Sequence, residues 1–551
     1  LKTGKQAIIE QFLADGIRYM FGNPGTVEEG FLDVLEEYPD FQYIMALEEA
    51  TAVAMADGYA RKTKKPAVIQ LHSGVGLGNG IGMIYQAMRG HAPLVIVAGE
   101  AGIKYDAMDS QMAADLVGMA RPVTKWSTRV ADSASLLRVL RRAIKMASTP
   151  PTGPVFVCLP LDILDLPLVE KITPTVVPLT RTAPDEAVLN KIAVILLQAQ
   201  NPALIIGDGV AFSEAQPEVA RLAALLGAAV WGADSSEVNI SASNIHFKGL
   251  LGHMFGEVSK AALAKADTVL IIGTYIFPEV FPTLAEPFSP GTKLIHIDLN
   301  PYEIGKNFPV EIGVVAEPKL TLQKLIALCE SSITPETANQ AANRTEILVQ
   351  DRKRASETQR QNYETAKNPS RITMAEFGEE LSRQIPPDTI IFDEALTCSP
   401  ELNFYIPADT PGNFFQTRGG SLGVGIPGAL GIKLAAPDQT VIGFTGDGGG
   451  MYTIQALWTA AHYNIGAKFV ICNNHSYRLL ELNIDQYWKE RQIPKHNYPQ
   501  SFSIRNPNLD FVKIAEGHSV PAVRVENPGE IKSAITKMLT TEGPFLLEVV
   551  I

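Results

Sequence analysis

Short, strongly apolar runs alternate with amphipathic stretches along the whole of this sequence. In the first third the runs are YIMAL, AVIQLH, PLVIVAG and PVFVCLP. ALIIGDG, TVLIIGT and KLIHIDL follow in the middle, and TIIFDEA, TVIGFTGDG, KFVICNN and PFLLEVV in the last third. Apolar runs spaced by helical patterns predict parallel strands buried on both faces, hence α/β units with doubly wound sheets. Two stretches break the rhythm. The segment from Pro167 to Pro184 (PLVEKITPTVVPLTRTAP) has no periodicity and reads as an extended linker. From about Ser331 to Ser370 the chain turns polar, which suits a solvated helix and a connection. The breaks divide the chain into three α/β domains, 1–170, 185–330 and 371–551. A length of 551 residues suffices for three or four domains with a core each. Whether the outer two units share a fold is left open by the pattern.

Composition changes this picture only by exclusion. Apolar residues make up 46%, an ordinary value for a globular chain, and the formal net charge is -12. That balance disfavours nucleic acid and anionic membrane as partners, since both reward clustered Lys and Arg. It says nothing against a small anionic substrate. No stretch reaches the roughly 20 apolar residues that a membrane span needs. The first residues, LKTGKQAIIEQFLADG, read as an amphipathic helix rather than a signal peptide, so the cytoplasm is the expected location. Cys158, Cys329, Cys398 and Cys472 form no CxxC pair and read as free thiols of a reducing compartment.

The strongest chemical signal is Gly446-Asp447-Gly448. It directly follows the run TVIGFT and is followed by a helical stretch (MYTIQALWTAAHYNIG), the strand KFVIC and Asn473-Asn474. A glycine turn at a strand end lets the backbone approach a phosphate, and the amides that open the next helix favour an anion. Asp447 offers a hard carboxylate oxygen, and Asn474 an amide oxygen from the end of the next strand. With a backbone carbonyl, two phosphate oxygens and water, these complete the octahedron that Mg2+ demands. Either half alone is weak, whereas the pair at this spacing is specific. Gly207-Asp208-Gly209 also follows a strand but lacks an Asn pair at the matching distance, and reads as a plain strand-to-helix turn.

On these residues the chain resembles the thiamine diphosphate enzymes of the pyruvate oxidase and decarboxylase group, whose cofactor motif is GDG…NN. The resemblance spans essentially the whole chain. It implies a pyrimidine-binding domain, a central domain and a diphosphate-binding domain, in that order. Within the group, benzoylformate decarboxylase patterns are matched at FGNPGTVEEGFL (Phe21 to Leu32), EEATAVAMADGYA (Glu48 to Ala60), LHSGVGLGN (Leu71 to Asn79) and GGSLGVGIPGALG (Gly419 to Gly431). By that resemblance Gly446, Asp447, Gly448 and Asn474 bind the cofactor, and Asp447, Asn474 and Ser476 hold Mg2+. Glu49 matches the activating glutamate. Hydrogen-bonded to the aminopyrimidine, it favours the imino tautomer, whose nitrogen removes the thiazolium C2 proton. Its neighbour Glu48 reads as a solvated helix face. Leu422 matches the apolar wedge between the two cofactor rings, and the backbone near Gly420 the contact to the pyrimidine amino group. His72 matches a histidine that moves protons, and Thr26 a serine that touches the substrate carboxylate. The group's second catalytic histidine has no counterpart: GTYIFPEV offers Val280 in its place, with His253 as a spatial substitute.

The family chemistry is attack on a 2-oxo acid and loss of carbon dioxide, followed by protonation to an aldehyde or ligation to a second carbonyl. Acetolactate synthases lack a histidine in the loop of His72, which favours decarboxylation without oxidation. After the Asn pair, His475 and Arg478 offer the cations that a distal carboxylate needs, and Arg418 is another candidate. Together with a resemblance to stand-alone bacterial 2-oxoglutarate decarboxylases, this points to conversion of 2-oxoglutarate to succinic semialdehyde. The alternatives are benzoylformate-like aromatic decarboxylation and acetolactate synthase-type ligation. A different class also stays open. LIIGDG and LIIGT in the middle unit suit a flavin or nicotinamide oxidoreductase, although a full GxGxxG is missing. The resemblance further implies a homo-oligomer, at least a dimer and by expectation a tetramer, because Glu49 and the GDG loop meet across a subunit boundary in that group.

Overall fold

The computed structural model describes every residue except Leu1, Val169, His253, Phe255 and Pro278. Its strands form three six-stranded sheets, and every strand pairing is parallel. The first sheet holds β1 (Tyr19–Gly22), β2 (Gln42–Met45), β3 (Ala67–Leu71), β4 (Leu94–Glu100), β5 (Trp126–Arg129) and β6 (Val155–Pro160), in the order β2-β1-β3-β4-β6-β5. The middle sheet holds β7 (Pro202–Ile206), β8 (Ala229–Gly232), β9 (Phe247–Leu250), β10 (Thr268–Ile272), β11 (Lys293–Asp298) and β12 (Ile312–Val315), in the order β12-β11-β10-β7-β8-β9. The third holds β13 (Ile390–Glu394), β14 (Phe414–Gln416), β15 (Val441–Gly446), β16 (Lys468–Asn473), β17 (Ala522–Val525) and β18 (Phe545–Val550), in the order β14-β13-β15-β16-β18-β17.

The first and third sheets therefore repeat one topology, which settles the question that the apolar pattern left open. The middle sheet has the strand order of dinucleotide-binding folds. Strands such as β3, β7 and β13 are buried at every position, which is why they read as unbroken apolar runs. β5 and β9 lie at sheet edges, hold no fully buried residue, and carried no such signal.

Among its described residues the Pro- and Thr-rich segment has no helix or strand of its own, and it is fastened to the first helix, Gly4–Ala14. There Gln11 Nε2 donates to Thr173 O at 2.8 Å. The polar stretch is a helix, Pro335–Ala366, that buries only Ala341 and Tyr363 among its described residues. The outer domains are joined where the Glu49–Thr63 helix crosses the Gly425–Ala435 helix. A Cβ on Gly58 would lie 2.2 Å from Gly428 O, and one on Gly431 would lie 1.9 Å from Met55 O. Glycine alone allows so close an approach. The crossing merges both domains into one core, with Val53 and Met55 packed beside Ile426 and Leu430. Among the described residues no helix is long and apolar enough to cross a membrane, and all four cysteines are free and buried.

Candidate active site

Parallel sheets offer a crevice beyond the carboxyl ends of their strands, at the point where strand order reverses. In the first domain that point lies between β1 and β3. The chain leaving β1 carries Asn23 to Glu28, and the chain leaving β3 begins with His72. His72 Nδ1 lies 2.8 Å from Glu28 Oε2, and the other oxygen of Glu28 accepts the Gly99 N–H at 2.8 Å. Burial pushes the Glu28 carboxyl above its ordinary value, and His72 opposes that shift. A Cβ on Gly25 would lie 2.0 Å from His72 Nδ1, so the glycine lets the backbone pass against the ring. Glu49 opens its helix and is buried, with Oε1 accepting from Asn23 Nδ2 at 3.3 Å and Oε2 from Asn79 Nδ2 at 3.1 Å. Glu49 and His72 share a corner, since a Cβ on Gly76 would meet Glu49 Oε1 at 3.0 Å and His72 Cβ at 3.3 Å. Thr26 is exposed and begins the turn Thr26–Glu28. Glu48 is not the solvated face expected of it. Its carboxylate accepts the N–H groups of Ala50 and Thr51, both at 2.9 Å, and so caps the helix N-terminus, where a negative charge is favoured.

In the third domain the order reverses between β13 and β15, and Gly446-Asp447-Gly448 sits at the end of β15. Of the helical stretch expected after it, MYTIQALWTAAHYNIG, only Ala456–His462 is an α-helix, and a short helix, Asp447–Gly450, precedes it. Asp447 is buried, and its Oδ1 accepts the Gly448 N–H at 2.9 Å. Burial pushes its carboxyl up to about 6, against the backbone amides of Gly448, His475 and Ser476 that face it. The two halves of the motif thus meet. Among the described residues Asp447 Oδ2 is buried without a hydrogen-bond partner. Asn474 Oδ1 accepts the Ser476 N–H at 2.9 Å, while Asn473 turns inward and donates to Glu548 at 2.7 Å. Ser476 donates its hydroxyl to Glu481. An unpartnered carboxylate oxygen beside convergent amides is what one hard cation and a diphosphate would satisfy, so the residues fit both.

Gly420 lies exposed at φ +80°, and Leu422 is half-buried. Their loop hangs from Glu394, at the end of β13, which accepts the N–H groups of Gly423 and Gly425 and whose carboxyl burial pushes up to about 7. Three further expectations concern cations. Arg478 is exposed in the first turn of the helix Arg478–Glu490. His475 is held below its ordinary value by burial and by Arg505, so it brings no charge at neutral pH. Arg418 is no substrate cation: it is buried between Asp208, at 2.6 Å, and Asp234. Gly207-Asp208-Gly209 does lead into a helix, Asp208–Phe212, but it also grips the third domain. Val280 is exposed, and His253 lies outside the described residues.

Asn23, Glu28, Asn79 and Glu394 were missed by sequence reasoning. Three of them stand inside the matched stretches FGNPGTVEEGFL and LHSGVGLGN, and Glu394 is an acid closing a wholly buried strand. A polar residue at such a strand end is the signal that could have found it.

Residues 2–119, 189–325 and 397–549 match the families described as thiamine pyrophosphate enzyme N-terminal TPP binding domain, central domain and C-terminal TPP binding domain. The chain is 30% identical over 556 residues to benzoylformate decarboxylase of Pseudomonas aeruginosa, covering 100% of this chain and 99% of that protein. The chain belongs to the thiamine pyrophosphate enzymes. It is 28% identical to a probable acetolactate synthase large subunit of Methanococcus aeolicus, over 99% of this chain and 91% of that one. The thiamine diphosphate-dependent 4-hydroxybenzoylformate decarboxylase of Rhodococcus jostii RHA1 superposes with a TM-score of 0.85 at 25% identity, covering 100% and 99% of the two chains. This thiamine pyrophosphate enzyme is accordingly a carboxy-lyase with thiamine diphosphate as its cofactor. The expectation of 2-oxoglutarate finds no support among these relatives.

Proposed function

We propose that this thiamine pyrophosphate enzyme catalyses Mg2+-dependent, non-oxidative decarboxylation of a 2-oxo acid, with an aromatic acid of the benzoylformate class as the leading substrate. The observation that carries this reading is the occurrence in one chain of a Glu49–His72–Glu28 corner and an Asp447–Asn474 cradle, each at a strand-order reversal. Asp447, Asn474 and the Ser476 backbone would hold the cation and through it the diphosphate. Thiamine diphosphate supplies the electron sink for a 2-oxo acid that loses carbon dioxide. Glu49, aimed by Asn23 and Asn79, holds the proton of the cofactor's aminopyrimidine. Glu28 accepts from Nδ1–H of His72 and leaves Nε2 to move a proton at the substrate. The Thr26 hydroxyl serves the carboxylate.

The positions of two loops support a site shared between copies. Gly76, beside Glu49, and Gln86, which accepts the Ser421 N–H, stand on one helix, Ser73–Arg89. Their separation along that helix is about 15 Å at its usual rise. This spacing supports a Gly419–Leu422 loop that faces Glu49 of a second copy, with a homodimer or a larger even assembly as the working unit.

Arg478 favours a second reading. It is exposed beside the Asn474 strand end and enters no ion pair among the described residues, so it remains free for a distal carboxylate such as that of 2-oxoglutarate. Carbon dioxide release and product identification over a panel of 2-oxo acids test both readings. Benzoylformate should lead. Any turnover of 2-oxoglutarate should fall roughly a hundredfold in Arg478→Leu, the cost of one charge-assisted contact, while benzoylformate turnover holds. Preference for 2-oxoglutarate in the unmodified enzyme would reverse the order, and no release from any 2-oxo acid would defeat the proposal.

A further inference from the structure

The strand order of the central domain reverses between β7 and β10, where a doubly wound sheet presents its ligand crevice. This chain places an ion pair in the wall of that crevice, which stays open as a cavity lined also by Gly209, Gly273 and Asp298. Asp208 follows β7 and Asp234 follows β8, and both take the guanidinium of Arg418 from the third domain. Asp208 is aimed independently of Arg418: it accepts the N–H groups of Ser236 at 2.9 Å and Glu237 at 3.1 Å, and the Asn239 amide at 2.9 Å. Arg418 is only 8% exposed, and the side chains of Asp208 and Asp234 keep 13% and 20% of their surface. Breaking such a pair leaves an uncompensated buried charge, so the contact is held firmly.

Arg418 directly precedes Gly419-Gly420-Ser421-Leu422, the loop assigned above to the bent cofactor. Gly419 and Gly420 stand in succession at φ +78° and +80°, a backbone that other residues resist and that swings freely unless its ends are tied. Each tie comes from a different domain. Arg418 ties the leading end to the central domain. Gln86 of the first domain accepts the Ser421 N–H at 3.3 Å, and Glu394 of the third holds Gly423 and Gly425 at the trailing end.

We propose that Arg418 is a positioning residue of the thiamine diphosphate site, through which Asp208 and Asp234 of the central domain set the place of Gly420 and Leu422. The inference rests on the reading that this loop contacts the cofactor. It gives the central domain a part in catalysis that requires no ligand of its own.

The test uses the holoenzyme loaded with Mg2+ and thiamine diphosphate, and reads C2 proton exchange by NMR, cofactor affinity, kcat, KM and melting temperature. Arg418→Met should slow C2 exchange and kcat by about tenfold to a hundredfold, as a misplacement near 1 Å does, with KM and diphosphate affinity nearly unchanged. Asp208→Asn and Asp234→Asn should move the same readouts less. Adding Asp234→Asn to Arg418→Met should add little, because both act through one contact. Lys64 bridges the first and central domains through Ala211 O at 3.0 Å, away from the loop. Lys64→Ala should therefore lower the melting temperature without slowing exchange. If Arg418→Met does not fold, Asp234→Asn is read by the same measurements. A folded variant with unmodified exchange, or additive losses in the double variant, would overturn the proposal. An unmodified enzyme that takes up no thiamine diphosphate would overturn the functional reading beneath it, an outcome visible before any variant is made.

Discussion

Glu49 is a buried carboxylate held, among the described residues, by two amide donors and no cation, with Asn23 on one oxygen and Asn79 on the other. Glu49→Gln should fold and retain cofactor, yet lose most of the C2 proton exchange, because an amide cannot hold the pyrimidine's proton balance. NMR of quenched exchange checks this, and an unchanged rate would refute the role. Glu28 stands one layer behind, between His72 and the Gly99 N–H. Glu28→Ala leaves both without an acceptor and should cost about 1–3 kcal/mol in denaturant unfolding. Glu28 binds its proton more tightly in the folded chain than in the unfolded one. The unfolding free energy should therefore decline as pH rises from the ordinary value of 4.5 through the raised one. Glu28→Gln should flatten that decline, and pH-dependent unfolding curves that coincide with those of the unmodified protein would exclude this account.

The crossing of the Glu49–Thr63 and Gly425–Ala435 helices is the element on which site geometry depends, since it carries Glu49 at one end and follows the Leu422 loop at the other. Its closeness is set by glycine. At Gly431 an added methyl would lie 1.9 Å from the backbone oxygen of Met55, and neither helix can yield locally. Gly431→Ala should destabilise by about 1–3 kcal/mol or more, the usual cost of overpacking, and lower activity by moving both ends. Gly529→Ala, where a methyl meets nothing within 4 Å, is the matched control and should leave the melting temperature in place. Equal effects of the two substitutions would show that the crossing is not tight. At the same scale the stretch MYTIQALWTAAHYNIG, expected to be helical throughout, is an α-helix only over Ala456–His462. Tyr477 packs against the short turn Asp447–Gly450 that precedes it, its ring 2.4 Å from where a Cβ on Gly448 would lie.

At the scale of the whole molecule, the two outer domains share a strand order while contributing different groups, Glu49 and His72 from the first and the unpartnered Asp447 carboxylate oxygen from the third. If each site combines Glu49 of one copy with Asp447 of another, two inactive variants should rescue each other. Mixed and reassembled, Glu49→Gln and Asp447→Ala chains would form heterodimers in which one site carries both defects and the other none. About a quarter of the sites should then recover, the proportion expected for random pairing in a two-fold dimer. Activity that stays at the level of the parent variants after subunit exchange would place both groups in one chain.

Local features alone made part of this protein legible. The buried strands β3, β4, β7, β10, β13 and β15 show as apolar runs because both their faces are covered, and the Asp447–Asn474 pair shows because its spacing is set by a single helix-and-strand step. Edge strands such as β5 stayed silent, since partial burial leaves no uniform pattern. Contacts between distant residues were equally silent. Glu28 meets Gly99 across 71 residues, and Arg418 meets Asp208 across 210. Arg418 read as a free cation and Glu48 as a solvated acid, because a side chain's charge is local and its partner is not. Parallel sheets gather strand ends from remote parts of the chain at one edge, so the period of the sequence foretells the strands, and only their assembled order determines which charges meet.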